Sequence, residues 1–170
     1  SFILSGRRTY IDVLAKPFIN TTNARGTGYF FYDLTAKLNW RLSDKDRLYL
    51  SGYFGRDVFS LSNSDLEFTF KIPWGNSTAS LRWNHLFSDK LFVNTSAVFT
   101  DYNFAFEGGS NNFLFKLSSG IRDGNLKQDY TYYPNSFHNI KFGWNYTLHR
   151  FIPSSTEASS NDVEFDTGEE

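Results

Sequence analysis

The residues that might carry chemistry are few and scattered. His85, His138 and His149 are the only histidines. They share no metal-ligand spacing, so they read as strand residues near an interface rather than ligands. Cysteine is absent, which removes thiolate metal sites and disulfides. Asp44 and Asp46 are paired carboxylates in a short polar segment, where a turn explains them better than acid–base catalysis. No Ser/His/Asp arrangement, phosphate loop or dinucleotide fingerprint is present. Gly108-Gly109 reads as the turn at a loop tip. Four Asn-x-Ser/Thr sequons, at Asn20, Asn76, Asn94 and Asn145, fit chance better than glycosylation, because Asn94 and Asn145 fall mid-strand. The residues therefore indicate no enzyme, no metal and no cofactor. The charged positions Asp33, Lys37, Arg41, Asp57, Arg82 and Lys141 remain as candidates for contact with a solute, weighed against a merely hydrated wall. Trp74, Phe104 and Phe106 are further ligand-contact candidates, expected in loops.

Composition narrows the class. The chain has 170 residues, with 17 basic and 18 acidic, so it lacks the basic surplus of a nucleic-acid binder. It has 19 Phe, 10 Tyr and 4 Trp, and no run of 18 apolar residues, so a membrane-crossing helix is not expected. Aromatic enrichment suits a β protein with aromatic girdles. Negative mean hydropathy does not exclude a membrane, because barrel strands are apolar only at alternate positions.

The elements that must position these residues are strands, because the apolar period is two. Phe30, Tyr32, Leu34, Ala36, Leu38, Trp40 and Leu42 alternate with Asp33, Thr35, Lys37, Asn39 and Arg41. Ala79, Leu81 and Trp83 alternate with Ser80 and Arg82, and Ile140 through Leu148 repeat the pattern. Successive strand side chains point to opposite faces, so each segment has an apolar face and a polar one. Strands are expected at 1–9, 28–42, 47–60, 76–88, 91–105, 112–133 and 137–152. The sixth changes apolar phase, from Phe113, Phe115, Leu117 and Ile121 to Leu126, Tyr130 and Tyr132, which suggests a bulge near Asp123-Gly124. Tight turns at 43–46, 88–90 and 134–136 alternate with long links at 10–27, 61–75 and 106–111. Residues 10–16 suit one or two helical turns ended by Pro17. Tyr29, Trp40, Trp83, Tyr102, Tyr130, Tyr132 and Trp144 are expected to form two interfacial aromatic belts. His85 and His138 fall in the outward phase and His149 in the inward one.

Fifteen strand residues reach about 50 Å, and a tilt of about 45° leaves about 35 Å, enough to cross a bilayer. The expected fold is all-β, an antiparallel transmembrane β-barrel with about seven strands visible. Residues 1–152 would be barrel strands, with short turns in the periplasm and long loops outside. Residues 153–170 would be an acidic extracellular loop or disordered tail, since they hold six acids and no base. Single-chain bacterial barrels have even strand numbers, so a count of seven predicts further chain before Ser1 and after Glu170. A barrel of this kind also begins with a signal peptide, so a matured or truncated chain is expected.

Several stretches resemble the barrels of TonB-dependent receptors of the Bacteroidetes type. Ser1-Phe2-Ile3-Leu4-Ser5-Gly6-Arg7-Arg8-Thr9-Tyr10-Ile11-Asp12 is similar to an early strand entering its outer loop. Ser119-Gly120-Ile121-Arg122-Asp123, Tyr132-Tyr133-Pro134-Asn135, His138-Asn139-Ile140-Lys141-Phe142-Gly143 and His149-Arg150-Phe151-Ile152-Pro153 resemble a later hairpin. The resemblance implies a 22-stranded barrel filled by a plug domain of the same receptor. It implies import of a nutrient such as a glycan, peptide or metal chelate across the bacterial outer membrane. The partners implied are outer-membrane lipid, the plug, the TonB complex acting through regions not in this chain, and a surface lipoprotein over the external loops. No plug or TonB box lies in these residues. Two alternatives remain: a passive porin-like channel, and a soluble carbohydrate-binding β-sandwich.

Overall fold

The computed structural model describes residues 1–19, 26–63, 65, 67–110, 113–160 and 163–167, the last five as backbone only. Its strands are β1 (Phe2–Arg8), β2 (Gly28–Arg41), β3 (Asp46–Asn63), β4 (Phe68–Ser88), β5 (Leu91–Ser110), β6 (Phe113–Asn135), β7 (His138–Ser160) and β8 (Val163–Thr167). They form one antiparallel sheet in which every strand pairs with its sequence neighbours, in the order β1 to β8. β1 and β8 are not paired with each other, so the sheet is an open one.

Among the described residues there is no second sheet, which the sandwich alternative requires. Nor do the described residues form a packed core: among them the buried apolar side chains are Val58, Val93 and Pro73. The stability of such a layer rests on its ladders and on whatever covers its faces.

Turn chemistry fixes the register at one end of the sheet. The Leu42 amide donates to the Asp46 carbonyl at 3.0 Å, and the Ser43 hydroxyl donates to the Asp46 carboxylate at 2.7 Å. The Asn135 side chain accepts from the Phe137 amide at 3.1 Å, and Ser88 Oγ accepts from the Lys90 amide at 3.3 Å. Each is a short polar side chain closing its own turn.

At the other end the hairpins are longer than the sequence suggests. Most of the segment 61–75, expected as a link, is strand, at 61–63 and 68–75: β3 and β4 pair as far as Asn63 opposite Phe68. β5 and β6 pair as far as Ser110 opposite Phe113, so Gly108-Gly109 is strand rather than a turn. β7 runs to Ser160 and pairs with β8, so the expected loop or disordered tail is strand through most of its described length. The eighth strand makes the described count even. The 10–27 link does hold helix, as α1 (Ile11–Leu14) and α2 (Lys16–Ile19). Pro17 stands in the first turn of α2, where its missing N–H costs nothing, instead of ending α1. Gly26, with φ of 88°, turns the chain back into β2 in the left-handed region.

The expected bulge at Asp123-Gly124 is absent, since both residues pair in unbroken register with β5 and β7. The irregularity lies higher, where Ser118 opposes Ser155 and Gly120 opposes Ile152. Pro153 and Ser154 together face Ser119 there, and proline cannot donate to the ladder. Ser119 Oγ donates to the Ile152 carbonyl at 3.1 Å across the gap. Pro73 leaves a gap in the β4–β5 ladder without an extra residue, since Lys71 opposite Glu107 and Trp74 opposite Phe104 keep one register.

Candidate functional site on the Lys37 face

Residues directly opposite each other share a face, so the register carries parity from strand to strand. One face holds Leu38, and with it Leu50, Leu81, Ala97, Leu126 and Tyr146 in a single cross-strand row. The other holds Lys37. In the half of the sheet near the tight turns the Leu38 face is apolar and uncovered: Leu38, Leu81, Phe99, Phe142 and Leu148 are all exposed. The Lys37 face at the same height is polar, with Thr35, Ser51, Ser80, Ser96, Asn125 and Asn145.

Toward the far end both faces reverse. On β4, Ala79, Leu81 and Trp83 lie on the Leu38 face, whereas Phe68, Phe70, Ile72 and Trp74 lie on the Lys37 face. On β6, Leu126, Tyr130 and Tyr132 lie on the first and Phe113, Phe115, Leu117 and Ile121 on the second. The change of phase that suggests a bulge is therefore an exchange of polarity between faces of an unbroken strand.

All six charged candidates stand on the Lys37 face, but not in one site. Asp33 accepts from Arg7 Nε at 2.5 Å. Asp57 accepts from the Tyr29 hydroxyl at 2.6 Å. Lys37 and Arg82 line one hollow with Tyr49, Ser51 and Ser80. Arg82 lies 5.8 Å from the Tyr49 ring centre, a cation–π distance. Arg41 donates to Asp44 at 2.5 Å beside the first tight turn, in a different hollow. Lys141 lines a third with Asn94 and Asp129.

Three carboxamide oxygens on this face, of Asn76, Asn84 and Asn94, are buried and meet no donor among the described residues. Of the sequons, Asn76, Asn94 and Asn145 sit in strands on this face, and Asn20 lies outside the described residues.

Trp74, Phe104 and Phe106 are strand residues of the same face, not loop residues. They belong to an aromatic patch that the sequence reading did not assemble. Phe70 meets Phe59 at 6.4 Å and Phe106 at 4.6 Å, and Phe106 meets Phe115 at 6.1 Å, all edge-to-face. Tyr29 stacks on Trp74 at 6.3 Å. The signal that would have found the patch is the second alternating run, Phe68, Phe70, Ile72 and Trp74, in opposite phase to the first.

The aromatic belts also differ from expectation. Trp40, Trp83 and Trp144 share one row of the Leu38 face near the tight turns, with Tyr130 and Tyr132 on the same face. Tyr29 and Tyr102 lie on the Lys37 face instead. Trp83 Nε1 donates to Asp46 at 2.9 Å, and His85 Nδ1 lies 2.6 Å from the same oxygen. Bonds from Ser43 and then His85 hold the Asp46 carboxyl below its usual range. His138 shares that face, and His149 bonds Asp123 at 2.8 Å on the other. Among the described residues no group of three His, Asp or Glu stands close enough to hold a metal. No described helix is long and apolar enough to cross a membrane. Comparison with known proteins found no matching family model and no match among curated proteins.

Proposed function

We propose that this sheet is part of the wall of a bacterial outer-membrane β-barrel, and that the barrel is an energy-coupled importer of the TonB-dependent kind. The observation that carries the membrane reading is the uncovered apolar band on a one-layer sheet. On β7 it runs over Ile140, Phe142, Trp144, Tyr146 and Leu148. Such a run reaches about 30 Å along the strand and about 20 Å after a tilt of about 45°, near the ~25 Å apolar band of outer-membrane barrels. Trp40 and Trp83 stand beside the first tight turn, where an aromatic girdle belongs, while Trp144 lies within the band. In hydrocarbon the open edges at β1 and β8 need partner strands, because orphan backbone groups cost several kcal/mol each. The sheet is accordingly an arc of a larger wall.

The Lys37 face then lines the interior. In its polar half it carries the seven cations Arg7, Lys37, Arg41, Arg47, Arg82, Lys127 and Lys141 against the four carboxylates Asp33, Asp57, Asp123 and Asp129. That surplus and the three orphan asparagine oxygens suit a wall in contact with hydrated solute or a polar plug. Above it the aromatic patch offers apolar surface to whatever occupies the mouth. The transport half of the proposal rests on the resemblance of the quoted segments to TonB-dependent receptors.

Brominated-lipid quenching tests the membrane half. Trp40, Trp83 and Trp144 face lipid and are quenched, whereas a W40F/W83F/W144F variant retaining only Trp74 is not. Equal quenching of both proteins, or of neither, refutes it. Conductance of the whole barrel, with any plug in place, tests the other half in planar bilayers: a plugged importer stays shut, and steady ion flow favours the passive channel.

A further inference from the structure

On the Leu38 face the apolar band ends, away from the tight turns, in arginine. Arg8 and Arg56 flank Tyr32 in one cross-strand row. In the adjoining row Arg122 and Arg150 stand directly opposite each other. All four are exposed. In these two rows the only strand carboxylate is Asp101, which accepts from Arg122 Nε at 2.6 Å. Arg8 is held by Asp12 of α1 at 3.0 Å. Arg56 and Arg150 have no ion-pair partner among the described residues. Two rows further out the charges balance: Lys71 lies 3.9 Å from Glu107, and Lys116 lies 3.3 Å from Glu157. The positive excess is therefore confined to the border of the apolar band.

The local shape fits an anion. Like charges directly opposite in a sheet destabilise it; Asp101 offsets Arg122 from one side, and an anion at Arg150 relieves the pair from the other. Between Arg56 and Arg122 lies a hollow of about 430 Å³, with Asn103 and Gly120 in its lining and Asp101, Glu107 and Lys116 also lining it. Both carboxylates are already engaged, by Arg122 and Lys71.

We propose that this arginine rim binds the phosphate groups of anionic lipid headgroups. The guanidinium fork matches phosphate oxygens two at a time. A headgroup at this height leaves its acyl chains alongside Leu34, Phe54 and Phe99, the apolar residues next to the arginines. Free phosphate has no such second contact, which is why the lipid is the occupant. The proposal rests on the membrane reading above.

The test uses the whole barrel to which this sheet belongs, in nanodiscs of mixed phosphatidylglycerol and phosphatidylcholine. Mass spectrometry of the released protein counts the lipids that stay bound. Phosphatidylglycerol is retained over phosphatidylcholine. R56Q and R150Q each lower that preference roughly fivefold, the size expected for one cation at a charged lipid surface. Lys37→Gln, on the opposite face, leaves it unchanged. Arg56→Lys keeps the charge without the fork and falls between parent and R56Q. Insertion of the parent with no headgroup preference, or a preference that survives R56Q/R150Q, overturns the proposal. Loss of the preference on adding inorganic phosphate makes this a soluble-anion site and overturns it too. A parent that does not enter the nanodisc brings down the membrane reading itself.

Discussion

The two halves of the sheet are built from the same strands with opposite instructions. Near the tight turns Leu81 and Trp83 are on one face and Ser80 and Arg82 on the other; toward the far end Lys71 takes the first face and Phe70 and Ile72 the second. Between β5 and β6 the hydrogen-bond ladder does not change across the border, since the two strands pair continuously from Leu91 to Ser110. What changes is the solvent each face is made for. Alternation alone shows that a segment is a strand. The phase of the alternation shows which side meets oil, and it can differ along one strand.

A charge placed in the apolar band breaks the comparison most severely. Leu81→Arg is expected to cost about 2–4 kcal/mol of stability in lipid, whereas Ser80→Arg beside it costs little; urea unfolding in vesicles separates them. Gly143→Val comes next. A Cβ there would sit 2.3 Å from the Gln128 carbonyl, so β6 and β7 must part, at about 1–3 kcal/mol. Gly124→Val, with nothing within 4 Å of the added carbon, is the control in the same assay. In the far half, Phe70→Ala removes two ring contacts and is expected to cost about 1–2 kcal/mol. It should leave brominated-lipid quenching of Trp40, Trp83 and Trp144 unchanged, which sharpens the division between halves.

The smallest effect is a pH dependence at the tight turns. The Asp46 carboxyl is held low by Ser43 and His85. Its bonds therefore stabilise the folded state above about pH 4, the unfolded value, and are lost as pH falls through the lower folded value. Asp46→Asn should flatten that acid limb of the stability profile, without altering stability differences between neutral and alkaline pH.

Much of this was readable from the residues. The strand at 28–42 declares itself because seven even positions are apolar, and the observed β2 ends one residue earlier. The common face of Asp33, Lys37, Arg41, Asp57, Arg82 and Lys141 follows from parity once each segment is anchored by its apolar partners. The far half was harder to read. There Leu61-Ser62-Asn63 and Glu67-Phe68-Thr69-Phe70 break the established phase, and a broken phase looks like a loop or a bulge. Two prolines, Pro73 and Pro153, each cost only a local gap in one ladder there. The Phe59, Phe70, Phe106 and Phe115 patch spans four strands, and only the register shows that these rings meet. Residues 153–160 look like a loop because one acid among serines carries no period of its own; β6 supplies the pairing that orders them.

The strictly consecutive strand order bears on how such a sheet is assembled. Each strand finds its partner in the chain just before or just after it, so construction advances by adding one hairpin to a growing edge. Loop closure stays local for most steps, and local closure is the fast kind. The exception is the first pairing: β1 must wait for β2 across the residues that hold α1 and α2, which makes it the slowest join in the series.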